Sequence, residues 1–95
     1  MLLFTATRGI TMQQFMRKFT QLNGVRAIVT LKHYLFDEQE FYCNNLQTIN
    51  DDEKIGVLLK GQTIYVDKNN VIGAKVEDDT YKISDKRLTI IVNKM

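Results

Sequence analysis

The feature that most constrains this chain is the run Ile-Gly-Val-Leu-Leu-Lys-Gly-Gln-Thr-Ile-Tyr-Val at residues 55–66, continued at 71–76. Its density of β-branched, aliphatic and aromatic side chains predicts strands, because such residues lose little rotamer freedom on a pleated surface. Gly61 and the polar cluster 67–70 supply turns on either side of 63–66. The pattern therefore predicts strands at 55–59, 62–66 and 71–77, a turn at Asp78-Asp79, and a final hairpin of 81–84 and 88–92 around Asp85-Lys86. Ile64-Tyr65-Val66-Asp67-Lys68 and Tyr81-Lys82-Ile83-Ser84-Asp85-Lys86 echo each other, each running from alternating apolar residues into an Asp-Lys turn. Hairpins built by the same rules look alike, so the echo is not read as a repeat.

A chain of 95 residues is one domain, residues 1–95, with room for a single core. Its 44% hydrophobic and 25% charged residues exclude wholesale disorder. Cys43 is the only cysteine, so no internal disulfide forms, and a reducing, cytoplasmic setting is expected. Residues 1–10 read as a flexible extension ahead of the helix described next. They are too short, and carry Arg8 on the wrong side of their apolar residues, for a secretory signal. No apolar run approaches a membrane span, and no membrane partner is expected.

Helical periodicity is confined to residues 11–24. Thr11 is a suitable N-cap, Gln14 completes a capping box, and Ile10 with Phe15 has the spacing of a hydrophobic staple. Met12, Phe15, Met16, Phe19 and Leu22 then recur on one side, and Gly24 ends the segment. A helix of about three turns is too short to stand alone in water, so the sheet is expected to cover this stripe. Two Met and two Phe would also suit an adaptable binding surface.

From residue 25 the period changes to two. Val25, Ala27, Val29, Leu31, His33 and Leu35 form the face expected inside; Arg26, Ile28, Thr30, Lys32, Tyr34 and Phe36 form the other. Residues 37–39 read as a polar turn and 40–49 as the partner strand of a hairpin. The Asn-Asp-Asp-Glu-Lys run at 50–54 reads as a loop. The fold class expected is α+β: an N-terminal amphipathic helix packed on a strongly curved antiparallel sheet, or a small, partly open β-barrel, of six or seven strands. Closing or bending such a sheet removes exposed edges.

The order of a helix followed by short strands over residues 25–76 resembles Sm-like proteins of the bacterial Hfq kind, and SH3-like barrels fit the strand count as well. Tyr65-Val66-Asp67-Lys68 stands roughly where the Sm-like second motif lies, in place of a Tyr-Lys-His triplet. The glycines that bend that family's second strand are missing from 40–47, and 84–95 adds material the basic barrel does not need. The resemblance implies a ring that binds uridine-rich or adenine-rich RNA.

No catalytic or metal-ligand pattern is present, so no cofactor and no enzymatic activity are expected. His33 and Cys43 would face each other only with an odd hairpin loop; an even loop centred on Glu38-Gln39 places Tyr34 opposite Cys43. Adjacent on an accessible face, with a third group to orient the ring, the pair would be a nucleophile and its base; a lone cysteine is more often a small buried hydrophobe and a lone strand histidine structural. Asp51, Asp52 and Glu53 lack the spaced ligands and turn glycine of a calcium loop, and Glu77, Asp78 and Asp79 read the same way. Gly56 and Gly61 lack the Lys-Ser/Thr of a phosphate loop and read as turn or bulge glycines. Function is then expected in a surface, and the candidate is Arg26, Lys32, Tyr34, Phe36 and Tyr42 on the first hairpin. Aromatic and basic residues on strands could stack bases and hold phosphates; they equally stabilise a sheet by cross-strand packing.

Charge does not decide between these readings. Residues 1–36 contain five basic and no acidic residues, whereas the remainder has eight basic and eleven acidic. That asymmetry makes either one basic face or an internal match of basic and acidic halves. The expected function is a non-enzymatic macromolecule-binding or self-assembly domain, with a protein partner or a second copy favoured and nucleic acid as the alternative. The Lys, Asn and Ile richness without proline is compatible with a phage or mobile-element accessory protein.

Overall fold

The computed structural model describes residues 5–6 and 11–95. Helix α1 (Met12–Thr20) begins as its cap residues dictate. The Thr11 hydroxyl accepts the Gln14 N–H, and the Gln14 side chain accepts the Thr11 N–H. Turns carry the chain from Gln21 to Gly24, whose φ of 89° a side chain would resist. Ile10, the other half of the expected staple, lies outside the described residues, as does the extension reading of 1–10 apart from Thr5–Ala6.

Strand β1 (Thr5–Ala6) runs parallel to β7 (Gly73–Glu77). After the helix come eight strands in two antiparallel sheets: β2 (Ala27–His33), β3 (Phe36–Cys43), β4 (Gln47–Asn50), β5 (Lys54–Leu59), β6 (Gln62–Asp67), β7, β8 (Thr80–Ser84) and β9 (Leu88–Lys94). The larger sheet has the order β1-β7-β8-β9-β2-β3 and the smaller β4-β5-β6. The expectation of an antiparallel α+β fold holds. An open sheet fits as well, since among the described residues no pairing joins β3 to β1; the strand count of six or seven is exceeded, and the central strands form a second sheet of their own.

Two boundaries explain the difference. The expected turn at 37–39 lies inside β3, and the reversal is made by Tyr34-Leu35, with His33 opposite Phe36. The expected strand 40–49 is two strands in different sheets, broken at Asn44-Asn45. Leu46, 1% exposed, is held across that break by two bonds: it donates to the Val25 carbonyl at 2.8 Å and accepts from the Gly24 N–H at 2.6 Å. The helix end fixes the crossing further, since Asn23 Oδ1 accepts the Thr48 N–H and Asn50 Nδ2 donates to Thr20 Oγ1.

The core lies between the sheets and under the helix. Phe15, Phe19 and Leu22 from the helix segment meet Ala27 and Val29 of β2, Ile55 and Val57 of β5, and Ile83, Ile90 and Val92 of the last hairpin in one buried cluster. Met12 and Met16 pack at its margin, so the helical stripe faces the core. Hairpin β5–β6 turns tightly through Lys60 (φ 50°) and Gly61 (φ 78°), the left-handed pair that a two-residue link between twisted strands needs.

Candidate interaction surface at the first hairpin

Hairpin β2–β3 projects its link into solvent. The reversal uses no left-handed residue, and the twist is taken up by a register shift between Leu31 and His33. His33 does locally what an Asx side chain does elsewhere: its Nδ1 accepts the Leu35 N–H at 3.1 Å. The Tyr34 N–H donates to the Arg87 carbonyl at 3.2 Å, tying the tip to the turn before β9. The His33 ring lies 4.9 Å from that of Tyr34 and 5.2 Å from that of Phe36. Three consecutive large apolar side chains are thereby held outward: Tyr34 is 66% exposed, Leu35 64% and Phe36 69%. Leu35 was expected on the inward face. It sits in the link itself, where strand alternation no longer applies.

Burying a side chain of this size typically contributes about 1.5–3 kcal/mol, so a fold that leaves three neighbours in water forgoes a sizeable term. Isolated exposed apolar residues need no explanation, but a contiguous set does.

The five candidate residues fall into two groups rather than one patch. Arg26 and Tyr42 meet where the guanidinium donates to the Tyr42 hydroxyl at 2.8 Å, which raises the Arg26 pKa. Tyr34 and Phe36 sit at the opposite end of the ladder, roughly 25 Å away at about 3.3 Å per residue. Lys32 stands between them with its ammonium 3.6 Å from Glu38. Its charge is partly met, and this exposed pair contributes little to stability.

A groove of about 750 Å³ opens beside the tip, lined by His33, Tyr65, Asp67, Asp85, Lys86 and Arg87 among others. The sequence does not assemble it, because its walls come from β2, β6, the segment 69–72 and the β8–β9 turn. The two Asp-Lys turns were the available signal, and both border the groove. Each aspartate is engaged by its own turn: Asp67 Oδ1 accepts the Asn69 N–H, and Asp85 Oδ1 accepts those of Arg87 and Leu88. Asp51 is a third case. Backbone N–H groups of Glu53 and Lys54 bind its carboxylate and lower its pKa.

His33 and Cys43 are not partners. The reversal at Tyr34-Leu35 pairs Cys43 with Ala27, about six residues and roughly 20 Å along the ladder from His33. Partial burial raises the Cys43 pKa and keeps the thiol protonated. Among the described residues no three His, Cys, Asp or Glu side chains are grouped to hold a metal ion, and no helix is long and apolar enough to cross a membrane. No protein family, curated protein sequence or solved structure matches the chain.

Proposed function

We propose that this chain is a non-enzymatic interaction domain that docks onto another protein surface through the apolar tip of its first hairpin. The supporting observation is the exposure of Tyr34, Leu35 and Phe36 together, on a link pinned by His33 and by the backbone of Arg87. A pinned link is pre-organised, so less ordering entropy is lost on docking than with a floppy loop. The partner in this reading offers an apolar hollow, and the flanking Lys32, Glu38 and Arg87 form a polar rim.

The adjoining groove gives a second reading some footing. Tyr65 and the His33 ring could stack a base, with Lys86 and Arg87 placed for phosphate, which is how an RNA-binding small barrel of Sm-like character would use this end of the molecule. Size-exclusion chromatography with light scattering and the absorbance ratio at 260 and 280 nm separates the two. The tip reading predicts protein alone, with a mass that does not change between low and high salt, because its contacts are apolar. Nucleic acid that co-elutes at low salt and is released by high salt would replace that reading with the groove.

A further inference from the structure

Among the described residues, strand β3 is the outermost strand of the larger sheet and pairs with β2 alone. Among the described residues, no backbone hydrogen bond reaches residues 36–43 from outside that ladder. The edge is eight residues long and lacks the usual protections of a proline or a lysine. It carries acid instead: Asp37, Glu38 and Glu40, with no basic residue on the strand. Only Glu38 has an ion-pair partner among the described residues, namely Lys32.

The two flanks of this edge differ in chemistry. Phe41 and Cys43 face the core, so alternation puts Glu38, Glu40 and Tyr42 on the opposite face. Beside the edge a cleft of about 200 Å³ runs between Glu40–Cys43 and Leu58–Lys60, with Phe41, Leu58 and Leu59 as its apolar walls and Glu40 and Lys60 as its charged ones. A strand laid along β3 would send alternate side chains toward Phe41, Leu58 and Leu59 in this cleft, where the Lys60 ammonium already lies 5.7 Å over the Phe41 ring and disfavours a second cation, and the others toward the two glutamates.

We propose that the β3 edge accepts an extended segment of another protein, in which basic residues alternate with apolar ones. Backbone pairing would supply affinity and the alternating flanks specificity. A second copy of this chain is the poorer occupant. It would double the carboxylates along one ladder with no Lys or Arg on either β3, and like charges across a strand pair are destabilising. The same charges that deter self-pairing complement a basic strand. This surface is distinct from the apolar tip, and failure here leaves the tip reading standing.

The test uses the whole chain and a blocked eight-residue peptide of alternating lysine and valine, followed by amide NMR shifts and hydrogen exchange. Binding should protect alternate amides within 36–43 while leaving β7 and β8 unchanged. Glu40→Lys, an exposed change whose folding is checked by the same spectra, should weaken binding by about tenfold or more. A second peptide, N-methylated at the amides that would pair but equal in charge, should lose binding to a similar degree. No binding by the first peptide would mean that the acidic edge is only guarded against pairing, and would overturn the proposal. Equal binding by the methylated peptide would overturn it too, since charge alone would then account for the contact.

Discussion

Replacing Gly56 with alanine is expected to be the most damaging small substitution in the chain. Gly56 is buried in β5, between Ile49 and Tyr65 on the neighbouring strands. A Cβ built there would lie 2.0 Å from the Ile64 carbonyl oxygen and 2.6 Å from the Tyr65 Cα. Both obstacles are backbone, so no rotamer change relieves them. Strand β6 would have to move away from β5, opening the smaller sheet over Ile55, Val57 and Val66. A loss of about 3 kcal/mol or more is expected, at the upper end for overpacking. Against a total stability of about 5–15 kcal/mol, that threatens the folded state at ordinary temperature. Gly61→Ala is the useful comparison. Its Cβ would meet nothing within 4 Å, and the φ of 78° alone resists it, at a cost of about 1 kcal/mol. Denaturant unfolding of the two variants checks this ordering; equal losses would mean that the close approach of β6 to Gly56 is not real.

Phe15→Ala is the second large effect. Phe15 is 0% exposed, and its ring stacks on that of Phe19 with centroids 5.5 Å apart. Truncation leaves a cavity where helix, β4 and β7 converge, and a buried Phe replaced by Ala loses about 3–5 kcal/mol. The helix is too short to persist on its own, so its docking and the sheet core should fail together in one transition. The same measurement decides whether the stripe of Met12, Phe15, Met16 and Phe19 serves folding or a partner. Near-wild-type stability for Phe15→Ala would move the stripe from the core to an interface.

What could be read from the sequence was governed by local chemistry. Thr11 and Gln14 cap the helix because their side chains satisfy the first free N–H groups, and that requirement is visible in four residues. The boundaries of β5 to β9 were legible for a similar reason: Gly61, Asp78 and Asp85 mark turns whose backbone conformation or carboxylate caps they supply. The first hairpin was misread because its reversal is made of Tyr34 and Leu35, neither a turn former, while the polar run beyond them imitates a loop. A histidine side chain took the capping role that Asp or Asn usually plays. The crossing between sheets was hidden differently. Asn44-Asn45 carries a turn signal, but which sheet Gln47–Asn50 joins depends on Leu46 and on bonds to Gly24 and Asn23, which only the folded helix provides.

The candidate surface was legible in part for the same reasons. Lys32, Tyr34, Phe36 and Tyr42 are all exposed, Lys32 by the alternation of β2 and Tyr34 because it sits in the link. Residue types could not reveal that Glu38 would approach Lys32, that Arg26 would bind the Tyr42 hydroxyl, or that Leu35 would join the tip. Each follows from the hairpin register, which one displaced turn resets along the whole strand. The groove joins β2, residues 65–72 and the β8–β9 turn, and neither of the two Asp-Lys turns shows by itself that the other lies beside it.

The central claim is that the apolar tip is held out for contact and that the fold does not depend on it. Leu35→Ser tests this most directly, through the denaturant midpoint measured beside that of Phe15→Ala. Leu35 lies in a two-residue link, 64% exposed, and only its backbone N–H takes part in the turn. The account predicts a change of no more than about 0.5 kcal/mol, as for an ordinary surface substitution. A loss of about 2–5 kcal/mol, the size seen for truncated core leucines, would contradict it and place Leu35 among the residues that hold the sheets together.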